Sequence, residues 1–151
     1  MSDRLKLTFP LEQDEDGYPP FASEGVWAED LGDGRFRIDS VPFYVHDLSA
    51  EDIVEAMPSP EGGLVYVRTI QPCSNSTLRI ILYQESAREQ LLNGLRDLGC
   101  DYEIGVPTTL IAVNVPETVD ATQVLALLSK ESDAEKIDYE ESAPRYLSSK
   151  K

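Results

Sequence analysis

Apolar and polar side chains alternate from Leu5 through Leu7 to Phe9, and the alternation stops at Pro10. A period of two with a proline terminus predicts a half-buried strand. Leu11 to Gly17 reads as either a second strand or a wide turn, and Gly17 to Pro20 as a punctuated turn. Glu24 to Leu31 is predicted as a strand carrying Val26 and Trp27. Gly32-Asp33-Gly34 then closes a tight hairpin, because glycine tolerates positive φ. Arg35 to Asp39 returns with Phe36 and Ile38 inward and Arg35, Arg37 and Asp39 outward. Pro42 to Val45 is predicted as a short strand, Ser49 to Asp52 as a turn, and Ile53 to Ala56 as the start of another strand. After a loop over Pro58 to Gly63, Leu64, Tyr66 and Arg68 are expected on one strand face, with Val65, Val67 and Thr69 on the other.

The rhythm changes beyond residue 72. Thr77 to Tyr83 is a nearly continuous apolar strand. Leu91, Leu92, Leu95 and Leu98 then recur at helical spacing over Glu85 to Leu98, with Gly99 as the stop signal. Tyr102 to Val106 and Leu110 to Val115 are predicted strands around a Pro107-Thr108-Thr109 turn. Asp120 is placed to cap a helix with the stripe Val124, Leu125, Leu127 and Leu128. Ala134 to Tyr139 is a predicted final strand, and Ser142 to Lys151 a polar, frayed tail. The fold class is therefore α+β. A small N-terminal bent β-sheet or partly closed β-barrel over 1–72 precedes a ferredoxin-like βαββαβ domain over 73–151.

Charge narrows the function more than the fold. The 151 residues hold 28 Asp+Glu against 13 Lys+Arg, a formal net charge of -15. With 41% hydrophobic residues the composition is that of a folding chain. The field is steepest over residues 1–70, which carry 15 acids and 5 bases. It repels a phosphate backbone and draws in a basic face, so nucleic acid is not an expected partner and a basic protein is. Cys73 and Cys100 have neither redox-pair nor zinc-knuckle spacing and are read as reduced thiols. Met1-Ser2-Asp3-Arg4 lacks the apolar run of a signal peptide, and no segment is long enough to span a membrane. The expected location is cytoplasmic, with no membrane partner and no cofactor. The oligomeric state is left open, a homodimer included.

Five motifs, taken in order, resemble the bacterial family known as domain of unknown function 4265. They are Gly17-Tyr18-Pro19-Pro20, Glu24-Gly25-Val26-Trp27-Ala28, Ile38-Asp39-Ser40-Val41-Pro42-Phe43-Tyr44, Ala50-Glu51-Asp52-Ile53-Val54 and Ser76-Thr77-Leu78-Arg79. Together they cover roughly residues 5–83. Ser40 stands where such families usually show Asn, and Glu51 where they show Gly. The resemblance implies no established activity.

Candidate site residues follow from residue chemistry. Glu24 and Trp27 begin a strand with Arg35 across the hairpin, and an exposed Trp27 would make a flat interface anchor. The structural alternative is a core Trp27 with Glu24 paired to an arginine. Tyr44 lies near Asp52, whose carboxylate is placed to accept backbone N–H bonds in a turn. The hydroxyls of Ser76 and Thr77 beside Arg79 form the best small-anion site in an acidic chain. The alternative there is an ion pair between Arg79 and a neighbouring acid that ties the two domains together. His46 lacks the partners of a catalytic histidine. Glu12, Asp14, Glu15 and Asp16 lack the alternation and closing Glu of a calcium loop, so no metal is expected. The leading reading is a non-catalytic acidic binding protein for a basic protein, of which an immunity or antitoxin-like inhibitor is one form. The alternative is a regulatory domain sensing a small anionic metabolite through the Ser74 to Arg79 region.

Overall fold

Two compact units, Met1–Cys73 and Ser74–Lys151, make up the chain, and the computed structural model describes residues 4–147. In the first unit the period-two pattern becomes five strands: β1 (Arg4–Pro10), β2 (Ser23–Gly32), β3 (Arg35–Ile38), β4 (Ile53–Pro58) and β5 (Leu64–Gln71). Successive strands pair antiparallel. A short parallel pairing of β1 with β5, Leu7 to Leu64 and Thr8 to Val65, closes the barrel completely. Every second residue points inward, so Leu7, Phe9, Val26, Ala28, Phe36, Ile38 and Val54 form one core. Phe9 stacks on Tyr66 at 4.6 Å. The Gly32-Asp33-Gly34 hairpin has φ of 89°, 56° and 77°, and Gly32 N–H donates to the Asp30 carboxylate.

Two bulges bend β5. Glu55 pairs with Arg68 but Ala56 with Tyr66, leaving Val67 extra; Ile53 pairs with Gln71 but Val54 with Thr69, leaving Ile70 extra. Each extra residue shifts the alternation and increases local twist. The expected opposition of Tyr66 and Thr69 therefore fails, and their side-chain oxygens lie 2.9 Å apart. Of two loop expectations, the first resolves to its turn alternative and the second changes. Residues 11–22 contain no strand, and a turn forms where the Asp14 carboxylate accepts the N–H groups of Asp16 and Tyr18. Residues 42–45 are a loop rather than a strand, for a reason that involves Glu24.

In the second unit β6 (Ser76–Leu82) leads through a 3-10 turn (Glu85–Ala87) into α1 (Arg88–Leu98). Then come β7 (Asp101–Ile104), β8 (Leu110–Val115), α2 (Ala121–Asp133) and β9 (Ile137–Ala143). The four strands form an antiparallel sheet ordered β7-β8-β6-β9. Leu91 and Leu95 of α1 and Val124 and Leu128 of α2 pack on Leu78, Ile80, Ile111 and Val113, so both helices lie on one sheet face. Gly94 lets the helices approach, since a Cβ there would sit 3.1 Å from Leu127. Gly99 ends α1 at φ 101°, and the Asp120 carboxylate caps α2 by accepting Thr122 N–H at 2.9 Å. The final strand begins later than expected. Residues 134–136 form the turn that follows the helix, with Lys136 N–H on the Glu131 carbonyl and Glu135 at φ 59°. Ser142 and Ala143 are buried in β9, which corrects the expected fray at that point. Arg145–Leu147 forms a 3-10 turn, a further correction of the expected fray, and residues 148–151 of the predicted tail lie outside the described residues. Among the described residues no helix is long and apolar enough to cross a membrane.

Candidate functional site

Glu24 opens β2, and its carboxylate reaches a segment that follows β3. Its two oxygens accept the backbone N–H groups of Phe43 at 2.6 Å, Tyr44 at 2.8 Å and Val45 at 3.0 Å. Three consecutive amides gathered on one anion cannot also serve a strand ladder, which is why 42–45 is a loop. The expected arginine partner of Glu24 is replaced by these amides. Asp52 does the same further along. It is fully buried and accepts Ser49 N–H at 3.0 Å and Cys73 N–H at 2.8 Å. Just before it, Glu51 is held at φ 78°, the left-handed conformation that explains the glycine expected there. The Ser40 hydroxyl accepts Trp27 N–H at 3.2 Å, a role an asparagine side-chain oxygen would fill equally well.

The loop clamped by Glu24 presents Tyr44. Its ring meets Tyr18 edge-on at 6.2 Å and Phe21 at 5.7 Å. Tyr18 and Phe21 are 52% and 51% exposed, high values for rings of this size. Beside the trio a groove of about 260 Å³ runs between Pro10, Leu11 and Pro19 on one side and Tyr44, Val45 and His46 on the other. Glu12 lines it too. Glu15 and Asp16 are exposed in the same turn, and among the described residues neither they nor Glu12 and Asp14 has a salt-bridge partner. Tyr18 and Phe21 were not singled out from the sequence. Their signal was two aromatics in an acidic, proline-rich turn with no periodic pattern to bury them.

The remaining candidates stand elsewhere. Trp27 is 39% exposed on the outer barrel face, but Arg4 and Lys6 sit over its ring at 4.8 and 5.1 Å. Arg4 is paired in turn with Asp39 at 3.0 Å. This anchor is therefore capped by cations of its own unit rather than framed by acids. Arg35 is exposed on β3 and is not brought to the groove. Ser76, Thr77 and Arg79 are buried. The Ser76 hydroxyl accepts Tyr146 N–H, and Arg79 donates to Glu140 on the neighbouring β9 at 3.2 Å. In place of the surface anion fork expected at Arg79, a buried guanidinium pairs with a half-exposed carboxylate within the second unit. Both cysteines are thiols. Burial, then the charge of Asp101, pushes the Cys100 thiol up to about 11. Among the described residues no three His, Cys, Asp or Glu side chains group as a metal site would.

The family described as domain of unknown function (DUF4265) matches residues 24–139. A solved structure of a hypothetical protein from Neisseria gonorrhoeae is similar at a TM-score of 0.74 and 19% identity, covering 95% of each chain. No curated protein matches.

Proposed function

The chain belongs to the DUF4265 family, and from that premise we propose that it is a non-catalytic, acidic binding protein whose partner is a basic protein. The observation that carries this reading is the uncompensated acidic turn Glu12–Asp16 beside the exposed rings of Tyr18 and Phe21. Long-range charge would steer a basic surface to this end of the barrel, and desolvated aromatics would hold it. An inhibitor that covers a toxin's basic site is one role with these requirements. The second unit reads as ferredoxin-like, a reading supported by its strand-helix-strand-strand-helix-strand order and by β7-β8-β6-β9 pairing. Affinity capture from the native cell at low and at high salt tests the function. Recovery of basic proteins that are released as salt rises is the expected result. Capture of the same partners at both salt concentrations, or of acidic proteins, would defeat it.

A further inference from the structure

Resting on the reading of the chain as a receptor for a basic protein, we infer that the groove between Pro10–Pro19 and Tyr44–His46 takes an extended, basic segment of that partner. Its cationic side chains would lie against the Tyr44 ring, which lines the groove, and extend onto the exposed Tyr18 and Phe21 rings that contact Tyr44. Size is the first argument. A volume of about 260 Å³ falls below the roughly 300–1,000 Å³ of sites that enclose a whole small molecule, yet it accommodates the side chains of a passing peptide. Wall chemistry is the second. Proline and tyrosine surfaces are flat and apolar, the kind that extended segments pack against without forming helix.

Charge complementarity selects the occupant. Tyrosine and phenylalanine faces attract a guanidinium or ammonium group, and Glu12 supplies an anion within the groove. Asp14, Glu15 and Asp16 extend the negative field along the adjoining turn. Such a combination repels acidic segments and favours arginine or lysine. A second copy of this chain, at net charge -15, is a poor occupant on the same grounds. The site also needs little reorganisation. The Glu24 carboxylate fixes the backbone from which Tyr44 projects, and the Asp14 carboxylate fixes the turn that carries Tyr18, so ordering cost on binding is reduced.

The test titrates the full chain, isotope-labelled, with a capped octapeptide of alternating Arg and Pro and with its Glu-Pro counterpart, at low salt. The Arg-Pro peptide is expected to shift amide resonances of residues 11–21 and 43–46, and the Glu-Pro peptide to leave them in place. Exposed Tyr18 and Phe21 can be changed without touching the core, and Tyr18→Ser with Phe21→Ser is expected to weaken Arg-Pro binding about tenfold. Shifts centred elsewhere, or equal affinity in the double variant, would overturn the groove while leaving the wider reading intact. No shifts anywhere with the Arg-Pro peptide would overturn the groove, and affinity capture alone would then decide the wider reading. Concentration-dependent shifts of the same residues without peptide would assign the groove to self-association and overturn the inference.

Discussion

The two units use their carboxylates differently. In the barrel, Glu24 and Asp52 turn inward and bind backbone amides of loops that have no regular structure. Both units pair other carboxylates with cations, Asp39 with Arg4, Glu29 with Arg37 and Glu55 with Arg68 in the barrel and Glu140 with Arg79 in the second unit, where Asp120 binds backbone only by capping a helix. The difference follows from architecture. A sheet covered by two helices satisfies its backbone within regular elements. A small barrel with a long excursion between β3 and β4 must recruit side chains for the amides left over. The acidic surplus is therefore not a uniform coat, since some of its charges, Asp14 among them, are backbone braces and others, Glu12, Glu15 and Asp16, remain available to solvent.

That contrast can be broken unit by unit. Leu91 is fully buried in the helix-covered core, so Leu91→Ala is expected to cost about 3 kcal/mol in denaturant unfolding. Hydrogen-exchange protection should fall in residues 74–147 and hold in the barrel. The reverse pattern is expected of Asp52→Ala, which strands two amides and costs about 2–3 kcal/mol. Uniform loss of protection in both units would show that they unfold as one.

Glu24→Gln keeps the shape of the clamp but removes its charge and replaces one accepting oxygen with an NH2 donor. An expected cost of about 1–2 kcal/mol should come with faster exchange at the amides of Phe43, Tyr44 and Val45 specifically. Unchanged exchange there would mean the loop is held by packing alone. Glu51→Gly acts in the opposite direction. Relief of the left-handed backbone should raise the melting temperature, by an amount equivalent to about 0.5–1 kcal/mol. A lower melting temperature would show that the Glu51 side chain contributes more than its backbone strain costs.

Each unit also carries one thiol. Cys100 is raised to about 11 against an ordinary 9.0, chiefly by burial and secondarily by Asp101. Its neutral form is favoured in the fold, so its contribution to stability is complete below pH 9 and disappears as pH climbs through 11. Cys100→Ala should flatten the alkaline decline of the second unit. At pH 8 iodoacetamide should modify Cys73, which is only partly buried, before Cys100. The opposite order would mean that the helix-covered core opens more readily than the barrel.

Much of the fold was legible because it rests on local pattern. Period-two alternation marked β1 and β3, leucine spacing marked α1, and Asp120 and Gly99 marked helix ends. The loop over 42–45 was not legible. Pro42-Phe43-Tyr44-Val45 has strand-like composition, and the group that takes its amides lies at Glu24, far back in the chain. Bulges at Val67 and Ile70 escaped for a related reason, since register depends on the partner strand. At the site, Glu24 stood out at a strand start, Tyr44 in an expected short strand and Asp52 in a turn, although Glu24 and Asp52 serve as braces. Tyr18 and Phe21 were passed over because a proline-glycine turn reads as punctuation, although the lack of any periodic pattern to bury them was a usable sign.

The parallel seam between β1 and β5 has a bearing on biosynthesis. Its two registered pairs join the first strand of the unit to the last, so a nascent chain cannot complete the barrel until β5 has left the ribosome. Until then Leu7 and Phe9 have no lid, and the growing polypeptide exposes the apolar surface that chaperones bind and aggregates recruit. Truncation after the Ser59–Gly63 turn would accordingly leave no smaller barrel, only an open ribbon with an adhesive face.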